Sequence, residues 1–172
     1  MDMVGKRVKE SLAIKSAIIS PPDANNIGTI FGGKVMAYID DIAGLSAMKH
    51  SRMTVVTAST DSVDFMRPIK VGQAIHVESF VTWTHHTSME VFAKVMGEDL
   101  KTGERFVGAT AFLTFVALDN EGKPQPVPPV IPESEHERKL FETAPERSRL
   151  RKERRTLSKG FAEKFGHLTP WV

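Results

Sequence analysis

The chain has 172 residues, 23 basic and 21 acidic side chains, a formal charge of +2 and no cysteine. That length suits one domain with a sizeable core, and the missing thiols exclude a disulfide framework, a thiolate nucleophile and a thiolate metal site. The near-neutral balance speaks against a uniformly basic nucleic-acid-binding face, no apolar run approaches the roughly 20 residues of a membrane span, and the charged N-terminal stretch does not read as a signal peptide, so a cytoplasmic protein is expected.

In chain order, Glu10 to Ile19 alternates loosely through Leu12, Ile14 and Ile18 and predicts a strand. Ser20-Pro21-Pro22 ends it, because each proline restricts φ and removes a donor. A loop spans Asp23 to Thr29. From Gly32 to His50 there is no proline, and the apolar positions Val35, Met36, Ile39, Ile42, Ala43, Leu45, Ala47 and Met48 recur at helical spacing. The face is broad, which predicts a largely buried helix. The period then changes. Thr54 to Phe65 is β-branched and reads as a strand, Gln73 to Thr84 as a second, and Ser88 to Glu98 as a third with clear alternation. Asp99 to Glu104 holds a Lys-Thr-Gly turn, and Arg105 to Leu118 is a long fourth strand ending at Asp119-Asn120-Glu121-Gly122.

A strand, a long helix and four strands with short links predict an α+β chain with an antiparallel meander. One buried helix against a curved antiparallel sheet, the hotdog architecture, hides both apolar faces. Residues 1–122 are assigned to that domain and 123–172 to an extension. The extension starts with five prolines between Lys123 and Pro132, which must be extended. Ser134 and Glu137 have the spacing of a capping box. A polar helix to about Thr143 and a second from Pro145 to Lys159 are expected, with only a thin apolar face. Arg147 to Lys159 holds seven basic residues and one acidic residue, and is expected to be a solvated or partly disordered tail.

Two stretches carry a resemblance. Pro22-Asp23-Ala24-Asn25-Asn26-Ile27-Gly28-Thr29-Ile30-Phe31-Gly32-Gly33, continued by Val35 to Asp40, and Thr57 to Gly72 resemble the signatures of hotdog acyl-coenzyme A thioesterases of the cytosolic long-chain acyl-CoA hydrolase family. Thr87 to Val91 is a weaker third match. The resemblance covers roughly residues 10 to 119. It implies hydrolysis of fatty acyl-CoA, with coenzyme A as part of substrate and product and no separate cofactor. It further implies a homodimer with one continuous sheet, assembled as a trimer of dimers into a hexamer, with active sites shared between subunits. Asn25 and, from the partner chain, Asp40 match the family's catalytic residues. Asn26 stands where relatives often have an apolar residue, and Phe31 where some have histidine.

The residues themselves suit that chemistry. A thioester needs a nucleophile, a polarised carbonyl and a place for a developing oxyanion. A helix beginning at Gly32-Gly33 offers free amides and a positive dipole end, so Gly33 is the candidate oxyanion donor. Asp40 is the candidate general base on water, or a direct nucleophile forming an anhydride, and Asn25 a group that orients water or carbonyl. Contacts to the coenzyme A portion are expected from Gly32, Thr60, Arg67, Lys70, Ser88 and Lys94, with Thr57 and Ser59 near the same pocket. Met36, Ile39, Phe65, Met89 and Phe112 can line an acyl groove or belong to the core. Adjacent His85 and His86 face opposite sides of a strand, so no metal site is expected. No Gly-x-Ser-x-Gly elbow occurs. Hydration or dehydration of acyl thioesters is disfavoured because the loop and helix lack a histidine before His50. A non-catalytic acyl-CoA or nucleotide-binding regulatory protein is the alternative.

Overall fold

The strand boundaries follow the alternation of the sequence closely. In the computed structural model, which describes residues 3–167, the elements are β1 (Lys6–Arg7), β2 (Ala13–Ile18), α1 (Gly32–Ser51), β3 (Thr54–Phe65), β4 (Ala74–Thr84), β5 (Ser88–Glu98), β6 (Arg105–Leu118), β7 (Val130–Ile131) and α2 (Glu135–Phe165). The five long strands form one antiparallel sheet in the order β2-β4-β5-β6-β3. The expected first strand is shortened at its start. Val8–Ser11 instead turns as a 3-10 helix, and the Ser11 hydroxyl accepts from the Val81 amide at 2.9 Å, where a ladder carbonyl would otherwise serve.

α1 lies across the inner face of the sheet on Val35, Ile39, Ile42, Ala43, Ala47 and His50. Ile39 is 1% exposed, and burial of such a side chain contributes about 2 kcal/mol. A polar clasp sits inside this interface: the Ser79 hydroxyl donates to the Ile42 carbonyl at 2.9 Å, and the Ser46 and Ser79 hydroxyls are 2.8 Å apart. The helix is buried on one side only, against the expectation of a largely buried one. Met36, Asp40, Asp41, Leu45 and Met48 are exposed. One sheet can cover one stripe of a cylinder, so the second apolar stripe is left uncovered in a single protomer.

β3 is an edge strand, paired only with β6, and its register against β6 shifts twice, between Thr57 and Ser59 and between Thr60 and Ser62. Ala58 and Asp61 are therefore extra residues, each a β-bulge. Strict alternation would put Thr57 and Thr60 on opposite faces. The bulges put Thr57, Thr60 and Val63 opposite Phe115, Leu113 and Ala111, all inward-facing.

The outer face carries a row of rings, Phe80, Phe92 and Phe112, with centroids 5.8 and 5.0 Å apart. Beside them stand Thr82, Glu90 and Thr114. α2 crosses this face. It is one helix of 31 residues, not two, and Pro145 lies inside it. An interior proline ordinarily breaks a helix. Here side chains bind the turn before it: the Thr143 hydroxyl donates to the Lys139 and Leu140 carbonyls, and Arg147 donates to the Leu140 carbonyl at 2.6 Å. The capping box forms as expected, with Ser134 accepting from the Glu137 amide at 3.2 Å and Glu137 accepting from the Ser134 amide at 3.0 Å.

The basic tail is docked through part of its length. Arg147 forms a two-pronged pair with Glu90 at 2.8 and 3.0 Å and lies 4.3 Å from the centroid of Phe112. The Glu90 side chain is 0% exposed and also accepts from Thr82 at 2.8 Å. Only beyond Arg154 does α2 become a solvated helix, with Arg155 to Phe165 exposed. The proline-rich segment is pinned as well. β7 pairs in parallel with β1, and His50 Nε2 donates to the Pro128 carbonyl at 2.8 Å.

Arg147→Ala leaves Glu90 buried and unpaired, and chemical denaturation is expected to report a loss of about 3–5 kcal/mol. Replacing both Glu90 and Arg147 with leucine should cost clearly less. Burial holds the His50 imidazole below its ordinary value; the Pro128 hydrogen bond opposes this and the Lys6 ammonium adds to it. The unfolded chain takes up the proton near pH 6.5 and the folded chain only lower. Stability from neutral His50 is thus fully present above about pH 6.5 and is lost as the pH falls below it. A Tm-against-pH series should slope downward there, and His50→Gln, which keeps a donor for Pro128, should flatten that slope.

Candidate active site

The loop before α1 is built around Asn25. Its side-chain oxygen accepts from the Ile27 and Thr29 amides, both at 3.1 Å, and its amide donates to the Thr29 hydroxyl at 2.9 Å. The chain turns at Gly28, whose φ of +77° suits glycine. The Ile30 amide then donates to the Ile69 carbonyl and the Val71 amide to the Gly28 carbonyl. These bonds lay the loop against residues 69–71, so the two stretches that carry the resemblance share a wall.

Phe31 occupies the N-cap of α1 and its side chain caps nothing. The Lys34 and Val35 amides bond to the Phe31 carbonyl. Among the described residues, the Gly32 and Gly33 amides have no acceptor, so they stand free at the positive end of the helix dipole. A Cβ on Gly33 would come within 2.5 Å of the Phe31 ring, so the glycine permits the ring's position. Asp23 pairs with Lys34 at 3.1 Å. The Ser20 hydroxyl, then Lys34, hold the Asp23 carboxyl below the usual carboxylate range.

Asp40 is exposed at the margin of the helix–sheet interface, and the Thr57 hydroxyl of β3 donates to it at 2.8 Å. The two face a cavity of about 340 Å³ lined by Met36, Ile39, Asp40, Thr57, Thr60, Val63 and Leu113. Asp40 and Thr60 therefore share a cavity. Thr57, which sequence reasoning grouped with several sheet hydroxyls, is the one that bonds to Asp40. A smaller apolar cavity of about 190 Å³ opens at the helix start between Gly32, Val35, Phe65, Arg67 and Ile69. Asn25 and Asp40 do not meet within the protomer, since each is engaged by its own neighbours.

The remaining expected contacts scatter. Arg67 pairs with Glu104 at 3.0 Å and stacks on Phe106. Lys94 pairs with Glu78 at 3.4 Å. Lys70 bridges to Thr29 beside the Asn25 loop. Ser88 lines a groove of about 450 Å³ on the other face of the sheet, together with Ser59, His85, Arg151, Lys152, Arg154 and Arg155. Of the expected acyl-groove residues, Met36, Ile39 and Phe65 line the two cavities. Met89 is fully buried core, and Phe112 belongs to the outer face beneath Arg147. Among the described residues, no group of three or more His, Asp or Glu side chains could hold a metal.

Known proteins are similar to this chain. The sequence pattern of the Thioesterase superfamily matches residues 27–104. The uncharacterized acyl-CoA thioester hydrolase YkhA of Bacillus subtilis is 53% identical over 163 residues, 95% of each chain. The chain belongs to this acyl-CoA thioester hydrolase family. A hexameric acyl-CoA thioesterase structure superposes with a TM-score of 0.88 at 52% identity, over 90% of this chain and 99% of that one. The acyl-CoA hydrolase of Staphylococcus aureus, solved with butyryl coenzyme A, coenzyme A and coenzyme A disulfide, superposes with a TM-score of 0.89 at 44% identity, over 94% of this chain and 99% of that one. Other structures of the Staphylococcus hydrolase carry alanine in place of an asparagine, an aspartate 15 residues further on, or a threonine 17 residues beyond that. The hotdog fold is thus that of the hydrolase family.

Asn25→Ala removes the acceptor of two loop amides. Hydrogen exchange at Ile27 and Thr29 is expected to accelerate, with a stability loss of about 1–3 kcal/mol.

Proposed function

We propose that the chain hydrolyses fatty acyl-CoA to a free fatty acid and coenzyme A. The observation that carries this reading is Asp40, a helix carboxylate held by Thr57 at an open cavity. Asn25 precedes it by 15 residues and Thr57 follows it by 17, the residue types and spacing of the substitutions made in the Staphylococcus hydrolase.

In this reading the thioester oxygen accepts from the free amide of Gly33, with Gly32 beside it. Negative charge that develops on the oxygen is favoured at the helix N-terminus. Asp40 takes a proton from water as the water attacks the carbonyl carbon, and the Thr57 hydroxyl fixes the carboxylate's orientation. The tetrahedral intermediate then collapses, the C–S bond breaks and coenzyme A leaves as a thiolate that takes up a proton. Asn25 orients the water or the carbonyl. Coenzyme A enters as part of the substrate, and the chemistry calls for no further cofactor. The apolar cavity beside Gly32 is assigned to the start of the acyl chain. Arg67, Lys70, Ser88 and Lys94 remain the candidate contacts for the nucleotide portion, drawn from more than one subunit.

Helix geometry supports a site shared between subunits. Seven residues separate Gly33 from Asp40, about 10 Å along the axis at 1.5 Å per residue. The reacting carbon lies roughly 3 Å from both the attacking water and the oxyanion donors, so even with that water bridging to Asp40 the span suits Gly33 and Asp40 of different protomers better than of one. The open edge of β3 supports a dimer in which a second copy continues the sheet, which would bring the Gly33 end and Asn25 of one copy to Asp40 of the other. The exposed Met36, Leu45 and Met48 suit burial in such an assembly. A trimer of dimers is proposed on the likeness to the hexameric thioesterase. Residues 1–122 are assigned as the catalytic unit and 123–172 as its extension. A cytoplasmic setting is proposed: the chain has no cysteine, and among the described residues no helix is long and apolar enough to cross a membrane.

Thiol release from acyl-CoAs of graded chain length tests the reading. Wild type is expected to turn over, and Asp40→Asn to lose about 10²-fold or more in kcat with its fold retained. Wild type that binds acyl-CoA without releasing thiol would sink the proposal. Mixing Asn25→Ala with Asp40→Asn subunits should restore activity, because a mixed dimer has one site with both residues intact. No recovery after proven exchange would count against sharing.

A further inference from the structure

Asp61 stands out among the polar groups that the hydrolytic mechanism does not use. Its carboxylate, 10% exposed, accepts from Ser59 at 2.5 Å, Thr114 at 2.8 Å, Arg151 at 3.0 Å and Arg154 at 2.7 Å. Arg154 also donates to the Asp61 main-chain carbonyl and, at 2.9 Å, to the Ser59 hydroxyl. Asp61 is the extra residue of the second bulge in β3, and Ser59 follows the extra residue of the first. A bulged residue leaves its backbone polar groups out of the ladder, and Arg154 supplies the donor that the ladder withholds.

We propose that Arg151 and Arg154 of α2, acting through Asp61, are positioning residues for hydrolysis: they hold the double bulge that turns Thr57, Thr60 and Val63 to one face of β3. The proposal rests on the hydrolase reading above. Neither arginine lines the Asp40 cavity, which opens on the opposite face of the strand. They act on it by fixing register. These three cavity residues lie three apart in sequence, a spacing that an unbulged strand sends to alternate faces. Loss of either bulge shifts part of β3 by one residue and turns Thr60 or Val63 outward. The strand is also an edge, with no second neighbour within the protomer to hold its register. The basic segment of the extension thereby becomes part of the catalytic apparatus through the strand that it holds.

The full-length chain tests this with Arg154→Ala, Asp61→Asn, and Lys159→Ala as a control on the same helix. Thiol release from acyl-CoA is expected to show a kcat reduced about tenfold or more in the first two, since small displacements in a site are costly. The loss in kcat should exceed any change in KM, and the control should keep the wild-type rate, because Lys159 lines neither the Asp40 cavity nor the groove that holds Ser88. A double-mutant cycle between Arg154→Ala and Thr57→Val should be non-additive, because the arginine's effect passes through the threonine. Hydrogen exchange reads the strap without turnover, and the amides of residues 58–62 should lose protection in Arg154→Ala while those of β5 keep theirs. The proposal is overturned by a kcat within twofold of wild type in both variants, by additivity in the cycle, or by unchanged exchange at 58–62. Should wild type release no thiol, the hydrolase reading falls, and exchange at 58–62 still decides whether the strap holds the bulges.

Discussion

β3 runs along an open edge of the sheet with its backbone paired on one side only, and its two residues in excess of β6 decide where its side chains point. A hydroxyl that meets Asp40, a second hydroxyl and a valine beside it all depend on that count. Without Ala58 and Asp61 as insertions, period-two alternation would spread these groups over both faces. Here the bulges lie next to the helix carboxylate, so one irregularity both shapes the edge and builds the cavity. The Asp61 carbonyl left out of the ladder accepts from Arg154, while Ser59, Thr114 and the two arginines hold the Asp61 carboxylate.

Much of this was legible from residue order. The switch from helical to alternating spacing between His50 and Thr54 set the end of α1 and the start of β3, and Thr54–Phe65, Ser88–Glu98 and Arg105–Leu118 are the strands that alternation and turn residues predict. The bulges were not legible, because a bulge depends on the partner strand's count, which no single segment carries. That is why Thr57 was one of several sheet hydroxyls until the pairing set it opposite Phe115 and against Asp40. The half-exposed α1 was misjudged for a related reason. Two apolar stripes on one helix imply two partners, and only the pairing of elements reveals that the chain itself supplies one.

The extension illustrates a different limit. Its composition is that of a solvated helix, and its leucines at 150 and 157 are indeed exposed. What docks it is charge: Arg147 to Glu90 and Arg151 with Arg154 to Asp61. Helical spacing of three and four residues puts these arginines along one side, yet the acids they meet sit 57 to 93 residues away in sequence. A local charge of one sign therefore carries no information about burial until the opposite sign is located. Pro145 misled in the same way. The helix continues through it, and the Arg147 that binds Glu90 also binds the Leu140 carbonyl on the far side of the proline, so the docked arginine spans it.

The separation of Gly33 from Asp40 ties these features to assembly. A helix is a rigid ruler, and its free N-terminal amides cannot slide toward a carboxylate two turns on. A chain with this helix has two ways to use both ends: a substrate that spans them, or a second copy laid antiparallel so that one helix start meets the other's midpoint. An open β3 edge favours the second, since antiparallel addition at that edge relates the two copies by a twofold axis and lays each α1 beside its mate. The same operation would cover the outward Met36, Leu45 and Met48 stripe. In the proposed dimer the uncovered apolar face, the unpaired strand edge and the divided catalytic set would have one origin, which is that the folding unit and the reacting unit differ by a factor of two.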